Sequence, residues 1–141
     1  MFRGHEGILM CDKCFGLIKD KLGVIHLKYN KDIKLCDCKK CRRYYAIKID
    51  KNIFNIVQAL NLKGYYTGGS CEGIGHTGMI VVFKQFDKKN VKIKTKGMPD
   101  GFKFNKSMLC STKIDYKNPK EKREDYQRIL DWINNDLESI G

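Results

Sequence analysis

Apolar and polar residues alternate through residues 24–29 and 32–35 on either side of Asn30-Lys31. This is the period of two expected of half-buried strands, and it predicts a β-hairpin. A short apolar run, Ile8-Leu9-Met10, precedes it, and Tyr44-Tyr45-Ala46-Ile47-Lys48-Ile49 forms a strand-like stretch after it. Past Asp50, read as an N-cap, Ile53, Ile56, Val57 and Leu60 fall on one face of a helix that Gly64 ends. Tyr65-Tyr66-Thr67 opens a strand, and a glycine-rich loop fills residues 68–78. Met79-Ile80-Val81-Val82-Phe83 is the continuous apolar run of a buried central strand. Residues 91–95 alternate with Lys outward like an edge strand, Met98-Pro99-Asp100-Gly101 makes a turn, and further strands are expected over residues 102–104 and 108–116.

Asn118-Pro119-Lys120-Glu121 opens the last helix, with Asn as N-cap, Pro at the first helical position and Glu completing a capping box. Tyr126, Ile129, Leu130, Ile133, Leu137 and Ile140 make one stripe, so the helix is predicted to run to residue 140 and to pack on the sheet. The expected class is α+β. An N-terminal zinc ribbon over residues 1–50 docks on a small, mostly antiparallel sheet with two covering helices over residues 51–141.

The ribbon follows from the cysteines. Two Cys-x-x-Cys pairs, Cys11/Cys14 and Cys38/Cys41, are separated by 23 residues, close to the spacing of a four-thiolate zinc site. Four thiolates suit a borderline-soft tetrahedral ion, and so short a unit cannot fold on apolar burial alone. Gly16 is read as the residue whose φ freedom a tight knuckle needs, and Lys39 and Lys40 offset the thiolate charge. Iron bound in the same way is the alternative metal, and Cys36 is the alternative to Cys38 as ligand. A saturated site of this kind leaves no open position for chemistry, so its expected role is structural.

Charge adds a candidate partner. The chain has 28 Lys and Arg against 16 Asp and Glu, a formal net charge of +12. The excess lies in residues 1–117 (24 basic, 10 acidic), while residues 118–141 carry 4 basic and 6 acidic side chains. Such a field favours nucleic acid or a phosphorylated nucleotide. The competing reading is compositional, because Lys outnumbers Arg by 23 to 5, as an AT-rich coding sequence would produce. No apolar run is long enough to span a membrane and no signal peptide is evident, so a cytoplasmic setting without a membrane partner is expected.

Two stretches carry the candidate ligand residues. Arg42-Arg43-Tyr44-Tyr45 sets two guanidinium groups beside two aromatics, and Tyr65 and Tyr66 add stacking surface. In the loop, Gly69, Ser70, Cys71, Glu72, Gly73 and His76 combine exposed backbone N–H groups with polar side chains. A Cys71/His76 nucleophile pair or a second metal site with Cys110 can be drawn, yet a lone Cys at a strand end is more often packing. No catalytic residue is assigned. Neither a Gly-x-x-x-x-Gly-Lys phosphate loop nor the His-x-Glu pattern of zinc deaminases is present.

The stretches Cys38-Lys39-Lys40-Cys41-Arg42-Arg43-Tyr44-Tyr45-Ala46, Ala59-Leu60-Asn61-Leu62-Lys63-Gly64-Tyr65-Tyr66-Thr67 and Ser70-Cys71-Glu72-Gly73 resemble uncharacterised small zinc-ribbon proteins of low-GC Gram-positive bacteria and their phages. That resemblance implies no activity. Its phage company sets a second expectation, an interaction protein that inhibits a host defence or polymerase or sequesters a signal nucleotide. Ser70-Cys71-Glu72-Gly73, after a helix and an aromatic-Thr strand, also resembles part of the Ser-Cys-Ser-Gly-Arg loop of wybutosine-pathway tRNA methyltransferases, with Glu72 and Ile74 at its serine and arginine. This resemblance implies S-adenosylmethionine and RNA. The leading expectation is a non-enzymatic zinc-containing module that binds nucleic acid or a phosphorylated nucleotide through a basic face and the glycine-rich loop.

Overall fold

A computed structural model of the chain describes residues 7–18, 34–36, 46–84, 93–113 and 115–140. Three short strands form the first sheet: β1 (Gly7–Cys11), β2 (Leu17–Ile18) and β3 (Ala46–Asp50), in the order β2-β1-β3 and antiparallel throughout. Ile8 pairs with Ile49 and Met10 with Ile47, so these four share one face. Met10, Leu17 and Ile49 enter the same apolar core as the helices. The hairpin expected over residues 24–35 lies outside the described residues except at its end, where Leu35 makes an isolated parallel bridge to Leu17.

A 3-10 turn, Lys51–Ile53, leads into α1 (Phe54–Leu62), which buries Phe54, Ile56, Val57 and Leu60. The helix ends in a Schellman motif. Gly64 adopts φ +95, its N–H donates to Asn61 O at 3.0 Å, and Tyr65 N–H donates to Leu60 O at 2.9 Å. Asp50 does not cap this helix as expected. Its carboxylate accepts the Glu72 N–H at 2.8 Å, a tertiary bond that outcompetes a local one.

The second sheet contains β4 (Thr67–Cys71), β5 (Ile80–Phe83), β6 (Phe102–Phe104) and β7 (Met108–Ser111), in the order β4-β5-β7-β6, again antiparallel. Val81, Phe83, Phe102, Phe104 and Leu109 are buried on the face that meets the helices. β5 is central but not buried on both faces as its apolar run predicts. Ile80 is 38% and Val82 42% exposed, because both helices lie on the other side. Residues 93–95 are irregular rather than an edge strand, and β7 stops at Ser111 so that the chain can turn Tyr116 into the interior.

α2 (Pro119–Asn135) starts as its sequence predicts, with Asn118 Oδ1 accepting the Glu121 N–H at 2.8 Å. Glu121 Oε2 accepts the N–H of Lys117, one residue before the cap, at 3.1 Å. Ile129 and Ile133 are fully buried on this helix, and truncating either to Ala would cost about 2–5 kcal/mol. The helix ends five residues earlier than expected. The following segment turns back, so that Ile140 N–H donates to Lys63 O at 2.7 Å and Tyr65 Oη to Glu138 O at 2.8 Å. Leu137 and Ile140 therefore pack from a returning tail, not from the helical stripe. No helix of the described residues is long and apolar enough to cross a membrane.

Three tyrosines bind the helices, loop and tail together, and all three phenols are held above their ordinary pKa. Burial does this to Tyr65, reinforced by the Glu138 carboxylate. Burial and the hydrogen bond to Asp125 push Tyr116 up to about 12, and burial raises Tyr126, with Tyr116 and Glu72 adding to it. Raised folded-state values mean stability that is complete below about pH 10 and is lost as pH climbs through the folded-state values. Titration followed by phenolate absorbance is expected to show these tyrosines ionising only as the protein unfolds. Tyr116→Phe is expected to remove one late-ionising phenol and lessen the alkaline loss of stability.

Candidate metal centre and neighbouring loop

The first knuckle grows out of β1. Cys11 closes the strand, its N–H donates to Gly16 O at 2.9 Å, and Phe15 N–H donates back to Cys11 O at 2.9 Å, so Cys14 is folded over Cys11. The left-handed residue of this turn is Phe15, at φ +63, and not Gly16 as the sequence suggests. A bulky residue there costs about 1–2 kcal/mol relative to glycine. Gly16 is required for another reason: a Cβ on it would stand 2.4 Å from the backbone nitrogen of Cys36. That close approach carries the third cysteine in. Leu17 N–H donates to Lys34 O at 2.8 Å and Cys36 N–H to Leu17 O at 2.9 Å.

The thiols of Cys11, Cys14 and Cys36 consequently lie within 4.8 Å of one another. Thiolates bound tetrahedrally at about 2.3 Å from zinc sit about 3.8 Å apart, so the group needs only a small contraction to hold an ion. Cys11 is buried, and Cys14 and Cys36 are half-buried. Burial raises the Cys11 pKa, but hydrogen bonds from the Cys14 and Lys13 backbone and from the Cys14 and Cys36 side chains outweigh it and bring the thiol down to about 7. A thiol poised there yields the thiolate a metal requires at little cost near neutrality. Three close cysteines can therefore hold a metal ion. Cys38 and Cys41 lie outside the described residues, as do Arg42, Arg43, Tyr44 and Tyr45.

Gln58 fixes the knuckle to α1, and nothing in the hydrophobic pattern points to it. Its Nε2 donates to Phe15 O at 2.7 Å and to Lys34 O at 3.0 Å, while its Oε1 accepts the Lys34 N–H at 3.3 Å. At 4% exposure, it spans the segments that carry Cys14 and Cys36.

The glycine loop is more internally bonded than an open anion cradle. The N–H of Glu72 is taken by Asp50, that of Gly73 by Cys71 Sγ (3.4 Å), that of Ile74 by Thr77 Oγ1 (2.9 Å), and that of Thr77 by Ile74 O (3.1 Å). Tyr126 Oη donates to Glu72 O at 2.6 Å, and Lys122 Nζ reaches Gly73 O and Gly75 O at 3.4 and 3.3 Å. Burial lowers the Lys122 pKa, against the opposing charges of Glu72 and Cys71. His76 Nδ1 lies 2.5 Å from Tyr116 O.

Cys71 and His76 thus have separate partners, and no hydrogen bond joins them among the described residues. Cys71 and Cys110 flank Ile80 in the sheet register, two strands apart, and among the described residues they form no metal-ligating group with His76. Ser70 is half-buried, Glu72 and Gly73 are buried, and Gly69 and His76 are exposed. Tyr65 is 1% exposed in the core, its ring edge-on to Phe104, so it presents no stacking face. Tyr66 does: it is 50% exposed and lies 5.7 Å from the Phe15 ring.

No protein-family profile matches the chain, and no curated protein or solved structure matches it either. If the cysteine cluster is a metal centre, purified protein will carry one equivalent of metal, and Cys36→Ser will lose at least tenfold in metal affinity by chelator competition. Gln58→Leu is expected to weaken metal binding by about 10–100-fold while helical content is retained, the range for residues that orient ligands.

Proposed function

We propose that the chain is a non-enzymatic module in which one zinc ion staples the N-terminal segment and a basic surface binds nucleic acid or a phosphorylated nucleotide. Cys11, Cys14 and Cys36 supply three of the zinc ligands, and a thiolate from the run 37–41 supplies the fourth. Zinc suits this donor set because soft thiolates in a closed tetrahedral site are its usual structural ligands. The ion's contribution is to hold the knuckle against α1, beside Phe15 and Gln58.

One observation carries the anion-binding half: among the described residues of 46–113, Asp100 is the only exposed acid, whereas seven lysines are exposed. Asp125 is buried against Tyr116 and Arg128, Glu72 is buried in the loop, and Asp50 is committed to the Glu72 N–H. Lys48, Lys84, Lys94, Lys96, Lys103, Lys106 and Lys113 stay exposed. The surface contributed by the described residues of 46–113 is therefore positive, the other exposed acids among the described residues lying at 115–138, and phosphate groups that bind it release counterions. The separate engagement of Cys71 and His76 supports a binding module over a hydrolase.

A filter-binding series with labelled oligonucleotides and nucleoside triphosphates tests this reading. Retention is expected at low salt, and for a nucleic acid making four phosphate contacts it falls by roughly a hundredfold between about 50 and 200 mM. No retention of any of these ligands at the lowest salt would overturn it.

A further inference from the structure

The outer face of the second sheet is not covered by either helix among the described residues, and it is chemically uneven. Cross-strand register sets Cys71, Ile80, Cys110 and Lys103 in one row and Gly69, Val82 and Met108 in the next. Lys84 N–H donates to Tyr66 O at 2.8 Å, which puts Tyr66 opposite Lys84 at the end of the same face. Ile80, Val82 and Tyr66 are the exposed large apolar groups of this face. None of the four strands contains an acidic residue. Asp12 of the knuckle lies 3.7 Å from Lys84 Nζ, an exposed pair worth little.

Beside Tyr66 the floor is open: a Cβ on Gly69 would meet nothing within 4 Å. The Tyr66 ring packs against Phe15, with centroids 5.7 Å apart and an interplanar angle of 31°. Phe15 is the residue kept in a left-handed turn where glycine would be free of strain. An aromatic at such a position points to a use for its ring, and packing on the core and on Tyr66 supplies one.

We propose that this face takes a single-stranded nucleic acid, with an unpaired base stacked on Tyr66 over Gly69 and the phosphates running across the sheet between Lys84 and Lys103. The proposal rests on the anion-binding reading and names the ligand class and the surface. Four strands span about 14 Å, a distance a few nucleotides cover. A duplex fits less well, since its bases are paired away from Tyr66 and its phosphates would lie on Ile80 and Val82. The metal knuckle, by holding Phe15, positions the stacking ring.

Fluorescence anisotropy with a labelled single strand, as RNA and as DNA, and with the same sequence annealed to its complement tests this. The single strand is expected to bind the wild-type protein more tightly than the duplex. Tyr66→Ala is expected to weaken single-strand binding by about tenfold or more, and Tyr66→Phe to restore it. Phe15→Gly, which relieves the turn, is expected to weaken binding while metal content is kept, and Lys103→Gln to reduce the salt dependence. Single-strand binding unchanged in Tyr66→Ala, or a duplex bound more tightly, would overturn this surface while leaving the anion-binding reading intact. Absence of any nucleic-acid binding would overturn the surface, and retention of a nucleoside triphosphate would still sustain the broader reading. A dimer in sedimentation that Val82→Lys dissociates would assign the face to a second copy and also overturn the proposal.

Discussion

A single buried amide, that of Gln58, governs how the N-terminal segment meets the rest of the molecule. Its hydrogen bonds to Phe15 and Lys34 satisfy backbone groups that α1 would otherwise bury, and they draw two chain segments together on one helix face. Losing a buried polar group's partners costs about 1–3 kcal/mol for each group left unpaired, so this contact is worth more than its small area suggests. It braces the segments that carry Cys14 and Cys36, and with them the Phe15 ring that meets Tyr66.

The second constraint is that both helices cover the same face of the second sheet. One-sided burial explains why Val81, Phe83 and Leu109 are closed off while Ile80 and Val82 stay open. It also explains the glycine loop, which is anchored by Tyr126 and Lys122 of α2 and whose backbone is mostly spent on that anchoring. The start of the glycine-rich segment, Glu72 and Gly73, is thereby fixed against α2, while residues 74–77 stay exposed.

Local chemistry was legible in the sequence wherever it was self-contained. Asn118 and Glu121 form the expected cap because both partners lie within one turn, and Gly64 ends α1 because only glycine is at ease at that φ. The mixed α+β class was legible from two helical stripes amid alternating segments. Other features depend on distant partners and were not. Asp50 prefers the Glu72 N–H to its own helix, and β5 has the composition of a doubly buried strand while one face is open. In the candidate metal site, the register of Leu35 beside Leu17 is what brings Cys36, the alternative ligand, to the first pair, while Cys38 and Cys41 lie outside the described residues. Gln58 is invisible because a polar residue on a helix reads as solvent-facing until its partners are known.

The returning tail has a consequence for the order of folding. The Cys11–Gly16 bond closes five residues, whereas the bond from Lys63 Nζ to Leu137 O joins residues 74 apart. The longer closure costs roughly 2 kcal/mol more in chain entropy. Nothing local offsets it, so the corner where α1 ends depends on α2 having docked. The Cys11–Gly16 turn needs no distant partner to close, whereas that corner does.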